Sequence, residues 1–199
     1  MTMPDADDAL PAFPFIGGRP CLDFVATLGK RHAVPIERLP DPAAFGRWIV
    51  EAGLQPEEPT ISVEALAAAR KLREALYRLL TCARNGRSPD PADIAEINQA
   101  AAHPDLAPQL VHGGTGTAVR AQAGDVASAV LATIARDAVL LAGGPLMGRV
   151  KECANDNCSL LFLDDSQARR RRWCSMERCG NLAKIAGYRS RNRGPRHKP

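Results

Sequence analysis

Apolar residues recur at three- and four-residue steps through much of the chain before residue 142, which predicts a mainly helical body. The clearest run spans residues 62–86, with Ser62 as a favoured N-cap at its start and Gly86 just past its end. Its apolar positions form a single helical face: Leu66, Ala69, Leu72, Leu76, Leu79 and Leu80. We expect this to be the longest helix of the body.

Three more helices are predicted from similar signals. Asp-Pro pairs, which place an N-cap before a first-turn proline, begin the segments 41–53 and 90–101. The third helix, residues 125–142, begins at an aspartate and ends before two glycines. In the first, Phe45, Trp48 and Ile49 fall on one face.

Two segments lack the helical period. Residues 106–112 and 117–121 flank a pair of glycines, which predicts a small β-hairpin. Residues 13–29 are apolar without a clear period, so their structure stays open.

Composition favours a soluble globular protein whose helices pack through alanine and leucine. Of 199 residues, 45% are hydrophobic, 24% charged and only 5% aromatic. No apolar run is long enough to span a membrane, and the acidic start of the chain does not resemble a signal peptide. We therefore expect a cytoplasmic protein without a membrane partner.

Positive charge is concentrated at the carboxyl end. Residues 149–199 hold 13 lysines and arginines against 5 acidic residues, a net charge of +8, whereas the rest of the chain has a net charge of −4. A basic end segment is typical of proteins with a polyanionic partner, most often nucleic acid. A solvated, solubilising tail is the alternative reading of charge alone.

Four of the six cysteines lie within 27 residues of this basic segment, at Cys153, Cys158, Cys174 and Cys179. Two close pairs across a short connection predict one structural zinc ion with four thiolate ligands and no open position for catalysis. Two disulfides, an iron–sulfur cluster or four unrelated thiols are the alternatives. Disulfides disagree with a cytoplasmic location, and the spacing matches neither common ferredoxin pattern.

The sequence around the cysteines predicts a small ββα unit. Residues 159–163 read as one strand and residues 170–173 as the returning strand. Ser175 is placed to cap a helix that begins inside the second cysteine pair and continues over residues 181–193. On that helix, Leu182, Ile185 and Ala186 are expected to pack inward on the zinc unit or the body.

The basic residues of this unit are the predicted nucleic-acid contacts. Lys184, Tyr188 and Arg191 share another face of the helix, four cations precede the third cysteine, and the tail is basic. The full predicted set is Arg169, Arg170, Arg171, Arg172, Lys184, Tyr188, Arg189, Arg191 and Arg193. The alternative is that the run 169–172 only solvates an exposed strand edge.

The cysteine segment resembles the CGNR-type zinc finger. The resemblance rests on the four cysteines with the stretches 161–164 (LFLD), 171–176 (RRWCSM) and 179–181 (CGN). The upstream region resembles the ABATE domain, through residues 20–25 (PCLDFV) and through the order of the two domains. One position departs from the finger's name: Leu182 stands where the family has arginine.

The resemblance implies a stress-induced transcription regulator with a helical ABATE domain over residues 1–148 and a DNA-binding zinc finger over residues 149–199. It carries over Cys153, Cys158, Cys174 and Cys179 as zinc ligands. If the family's arginine contacts DNA, Leu182 should weaken binding. If that arginine is structural, Leu182 must replace it by packing.

No set of catalytic residues can be picked out, so we do not expect an enzyme. The leading hypothesis is a transcription regulator that binds nucleic acid, with DNA favoured, while the helical body senses a small-molecule effector or forms a homodimer. A zinc-stabilised protein-interaction module and a small-molecule-binding protein with a pocket in the body are the alternatives.

Overall fold

A computed structural model describes residues 12–113, 116–122 and 124–192. Within these residues the chain forms six α-helices and three two-stranded antiparallel sheets. The helices are α1 (Pro20–Val25), α2 (Pro42–Glu51), α3 (Val63–Arg84), α4 (Pro91–Ala102), α5 (Val126–Ala142) and α6 (Asn181–Asn192). The strands are β1 (Leu28–Gly29), β2 (Ile36–Glu37), β3 (Ala107–Gly113), β4 (Gly116–Gln122), β5 (Val150–Glu152) and β6 (Leu161–Leu163). A 3₁₀ turn (Pro145–Arg149) precedes β5, and a π-helical turn (Met176–Gly180) precedes α6.

The four helices predicted in the body are confirmed, and their N-caps explain where they begin. The Asp41 carboxylate accepts a 2.8 Å hydrogen bond from the backbone N–H of Ala44, and the Ser62 hydroxyl accepts one of 3.0 Å from Ala65. Asp90 and Asp125 cap α4 and α5 in the same way. Each cap satisfies a backbone donor that the first helical turn leaves free.

The core of the body forms where α1, α2, α3 and α5 meet. Trp48 and Phe45 of α2 are fully buried, and the Trp48 ring lies 5.2 Å from the ring of Phe24 in α1. The segment 13–29, which has no period, therefore contains a short helix in which four of the six residues are buried. A helix buried on several sides shows no amphipathic pattern, which explains why its sequence gave no signal.

The predicted hairpin is confirmed. Strands β3 and β4 pair in register from Ala107 opposite Gln122 to Gly113 opposite Gly116. Leu110 on β3 is 76% exposed, so at this position the hairpin does not contribute to the core.

The carboxyl-terminal unit has the predicted order of two strands followed by a helix, but one predicted strand is wrong. Strand β6 pairs with β5, which precedes the first cysteine, and residues 170–173 form no strand. The Asp164 carboxylate accepts a 3.0 Å hydrogen bond from the Arg171 backbone, and Arg169 adopts a left-handed φ of 49°. The arginine segment therefore wraps around a buried carboxylate and does not extend along β6.

Packing is continuous between the body and residues 149–192, which we call the zinc module. Val150 and Leu161 of the module belong to the same buried cluster as the body core. The Leu163 backbone N–H donates to the carbonyl of Gly17, and the Arg31 backbone N–H donates to the Ser159 hydroxyl. The division of the chain at residue 148 stays a prediction.

Candidate metal centre and the surface around it

The four predicted ligand cysteines come together at one point. Their sulfur atoms all lie within 4.8 Å of one another. The Cys158 and Cys174 sulfurs are 3.9 Å apart, and those of Cys174 and Cys179 are 3.6 Å apart. A tetrahedron with Zn–S bonds of about 2.3 Å has sulfur–sulfur edges of about 3.8 Å. The donor set therefore fits one zinc ion.

Short local structures point the sulfurs inward. The Cys153 N–H donates to the Leu160 carbonyl at 2.9 Å, and the Cys158 N–H donates to the Asn155 carbonyl at 2.7 Å, so the first pair lies on a closed turn after β5. In the second pair, the Ser175 hydroxyl accepts from the Arg178 backbone and caps the π-helical turn that holds Cys179. This confirms the predicted role of Ser175.

Hydrogen bonds among the sulfurs of Cys153, Cys158 and Cys174 shift their pKa values in opposite directions. Hydrogen bonds from the Cys158 and Cys174 thiols lower the pKa of Cys153 to about 2, while the bond to Cys153 raises the pKa of Cys158 to about 12. The pKa of Cys174 is raised for the same reason. Four thiolates can share this space only if a cation compensates their charge. The four cysteines would hold one zinc ion, which would supply that charge and link the two pairs.

Residues 18–145 match the model of the ABATE family, described as "Putative stress-induced transcription regulator". The chain belongs to the ABATE family. Residues 149–192 match the CGNR zinc finger, in the same order as the resemblance implied. These are families of regulators and zinc fingers and not of enzymes. No curated protein matches the chain.

A buried carboxylate supports the metal centre of this ABATE–CGNR chain. Asp164 is fully buried, and its carboxylate accepts hydrogen bonds from the Lys151 ammonium at 2.6 Å and from the Ser166 hydroxyl at 2.5 Å. These contacts hold the pKa of Asp164 well below its usual range. Sequence reasoning missed Asp164, because an aspartate after a strand is also the ordinary signal for a turn.

Arg171 lies between this carboxylate and the cysteines. Its guanidinium lies 4.4 Å from the centroid of the buried Phe162 ring and donates to the carbonyls of Trp173 and Cys174. The side chain therefore fixes the backbone of a zinc ligand. Among the described members of the predicted nucleic-acid set, only Arg171 has a side chain that donates to backbone carbonyls.

The other predicted contacts that can be placed lie on the outside of the module. Arg169, Arg170, Arg172 and Lys184 are exposed, and Tyr188 is 63% exposed. The Arg172 guanidinium lies 5.1 Å from the centroid of the Trp173 ring. Arg189 and Arg191 lie within α6, where the structure describes only their backbone. Arg193 falls outside the described residues.

The expected inward packing of α6 is wrong for two residues. Leu182 is 58% exposed and Ile185 is 47% exposed. The side chain of Ala186, the third residue of that expected face, is outside the description. Helix α6 packs mainly against the π-helical turn that precedes it, so little covers the side chains of Leu182, Ile185 and Tyr188. Leu182, which stands in the place of the CGNR arginine, does not replace it by packing.

No helix in the described ranges has the length and apolar character needed to cross a membrane.

Proposed function

We propose that this ABATE–CGNR protein is a cytoplasmic, stress-responsive transcription regulator that binds nucleic acid, with DNA favoured, and that it is not an enzyme. The observation that carries the proposal is the outer surface of the zinc module, where exposed arginines and a lysine lie on the unit that holds the four-cysteine cluster. Phosphate groups attract such a surface without regard to sequence.

The arrangement of these cations supports a backbone-tracking mode. Arg169 and Arg170 lie on an exposed loop, and Lys184 and Tyr188 lie one turn apart on α6. A rigid loop and a helix can contact phosphates on two sides of a groove, while an exposed tyrosine offers a surface for a base or sugar. The zinc ion would hold the loop and the helix in one orientation. A homodimer would extend the contact beyond a single module.

The test is anisotropy of labelled duplex DNA and RNA with the full chain from about 50 to about 300 mM salt, where phosphate-driven affinity falls steeply. The predicted set implies a slope of log K against log salt of roughly −4 to −5, for about five neutralised phosphates. In the variant R169Q/R170Q/K184Q the slope should shrink by roughly 2 to 3. The matched control is R47Q/K71Q, which removes two cations of the body. Equal binding by both variants, or binding without salt dependence, would overturn the proposal.

A protein partner is the second candidate, because Leu182 and Ile185 present apolar surface on α6. The variant L182S/I185S separates the two. DNA binding carried by the cations should persist in it, whereas a protein complex that buries this face should be lost.

A further inference from the structure

A cavity of about 600 Å³ lies between the body and the zinc module. The body contributes β1, β2 and the residues next to them, and the module contributes the turn between Cys153 and Cys158 together with Trp173 and the start of α6. Cys158 and Cys179 form part of its wall. Because a four-thiolate zinc has no free position, a molecule in this cavity would lie beside the metal and would not bind it.

The lysine and arginine side chains of this cavity outnumber its carboxylates, and the two cysteines of its wall add negative charge from the metal centre. Lys30, Arg38 and Arg178 line it, and Asp156 is the only acidic side chain among the described lining residues. Among the described residues, none of the three cations has an ion-pair partner within 4.0 Å. By contrast Arg73, the other buried arginine in the part of the chain that the structure describes, pairs with two glutamates.

Arg38 is the most informative of the three. It is only 5% exposed, and its guanidinium donates to the carbonyls of Ala12 and Ala26, which are neutral acceptors. A side-chain carbon at Gly29 would lie 2.6 Å from the Arg38 Nη1 atom, so glycine leaves room for the guanidinium at this wall. Burial, and then the positive charge of Arg178, lower the pKa of Arg38. The negative charges of Cys158 and Glu37 oppose this effect, but no carboxylate among the described residues lies within ion-pair distance of the Arg38 guanidinium.

The rest of the wall is apolar or aromatic. Ile36 and Leu160 lie on it, and so does the Trp173 ring. An inorganic anion would leave this apolar surface without contacts, whereas an aromatic ring would pack against it. Arginine binds carboxylate and phosphate oxygens through paired N–H donors.

We propose that this cavity binds a small aromatic anion, with its carboxylate or phosphate group between Arg38 and Arg178 and its ring against Trp173. Such a site would place an effector in contact with both the ABATE body and the zinc module. The inference stands without the proposed DNA binding, because its test does not involve nucleic acid.

The experiment titrates the full-length, zinc-loaded protein with benzoate, phenyl phosphate and the neutral isostere benzamide. The chain has two tryptophans, so two indole N–H signals report on two places: Trp173 in the cavity wall and Trp48 in the sealed core. Benzoate or phenyl phosphate should shift the Trp173 signal and leave that of Trp48 in place. Whichever of the two anions binds more tightly shows whether the site prefers a carboxylate or a phosphate group. Benzamide should bind at least about 10-fold more weakly, since it lacks the charge.

Two variants test the assignment of the anion to the arginines. R178Q removes an exposed side chain that forms no described hydrogen bond or ion pair, and R38Q removes the buried one. Each should weaken benzoate or phenyl phosphate binding by about 10-fold. R170Q, which removes an exposed cation outside the cavity lining, should bind as the parent does. Because R38Q also loses hydrogen bonds to the body, R178Q keeps the test valid if R38Q does not fold.

Four results would overturn the proposal. Equal binding of benzamide would show a merely apolar cavity, and unchanged binding by R178Q and R38Q would remove the anion from its assigned place. Absence of binding by either anion at about 20 mM, where even weak sites fill, would do the same. Zinc content is measured on every variant, because loss of zinc in R178Q would mean that the cations serve only to balance the four thiolates.

Discussion

The backbone N–H of Leu163 donates a 2.8 Å hydrogen bond to the carbonyl oxygen of Gly17. This bond joins the last strand of the zinc module to the segment that leads into α1. Beside it, Leu161 is 1% exposed and packs in the core of the body. The metal-binding unit and the ABATE body are therefore expected to unfold together.

Truncation of Leu161 tests this coupling. L161A should lower the free energy of unfolding of the whole protein by about 2–5 kcal/mol, because it opens a cavity in a shared core. L110A, at an exposed position of β3, should change it by less than about 0.5 kcal/mol. Chemical denaturation followed by helical circular dichroism measures both. A helical body that keeps its stability in L161A would contradict a common core.

Removal of zinc tests the coupling from the other side. Cys174 is fully buried, so C174S should abolish the stoichiometry of one zinc per chain and lower the melting temperature of the body. C82S alters a half-buried thiol outside the cluster and should keep the full zinc content. Metal analysis and thermal unfolding with and without a chelator give both readouts. Retention of one tightly bound zinc in C174S would show that the cluster is not the site.

The hydrogen bonds of Arg171 predict that a lysine in its place, which keeps the charge, will lower the affinity for zinc. R171K keeps the positive charge but loses the paired donors to the Trp173 and Cys174 carbonyls, so zinc affinity should fall by roughly 10-fold or more. R170K changes an exposed arginine next to it and should leave the affinity unchanged. Competition with a chromophoric chelator measures each variant. Equal affinities would mean that Arg171 does not support the ligand.

Asp23 in α1 predicts a dependence of stability on pH. Burial, opposed by the hydrogen bond from Gly17, raises the pKa of this carboxyl to about 6 from an ordinary value of 3.8. The folded protein therefore holds a proton that the unfolded chain has released between about pH 4 and 6, so stability falls as pH rises through this range. The cost at pH 7 is of the order of 2–3 kcal/mol.

D23N should remove this part of the pH dependence, since its amide oxygen can still accept from Gly17. Urea unfolding at pH 4.5 and pH 7 gives the comparison. D156N, at an exposed acid of the zinc module, serves as the control. A parallel pH profile for D23N and the parent would mean that Asp23 does not titrate in this range.

Local chemistry explains which parts of the molecule could be predicted. Asp41, Ser62 and Gly86 act through their immediate neighbours, so the limits of the body helices follow from sequence. Cys153, Cys158, Cys174 and Cys179 form two close pairs in the sequence, a spacing that predicts one shared metal ion. These features depend on residues that lie close together in the chain or share one small ligand.

Long-range contacts were not predictable in the same way. Asp164, which follows β6, accepts hydrogen bonds from Lys151 of β5 and from the Arg171 backbone, and these partners lie 13 and 7 residues away in opposite directions. The burial of α1 depends on α2, α3 and α5 covering it. Leu182 is exposed because no other element of the described structure covers its face of α6. The helical period shows which residues share a face, but it does not show whether another element packs against that face.

The burial of Val150 and Leu161 in the body has a consequence for protein engineering. A CGNR finger transferred from this chain to another protein would expose two apolar side chains that are buried here. The remaining body would have a cavity where they packed. Modular swapping of recognition units, as practised with self-contained fingers, would here have to move the strands and α1 as a single cassette.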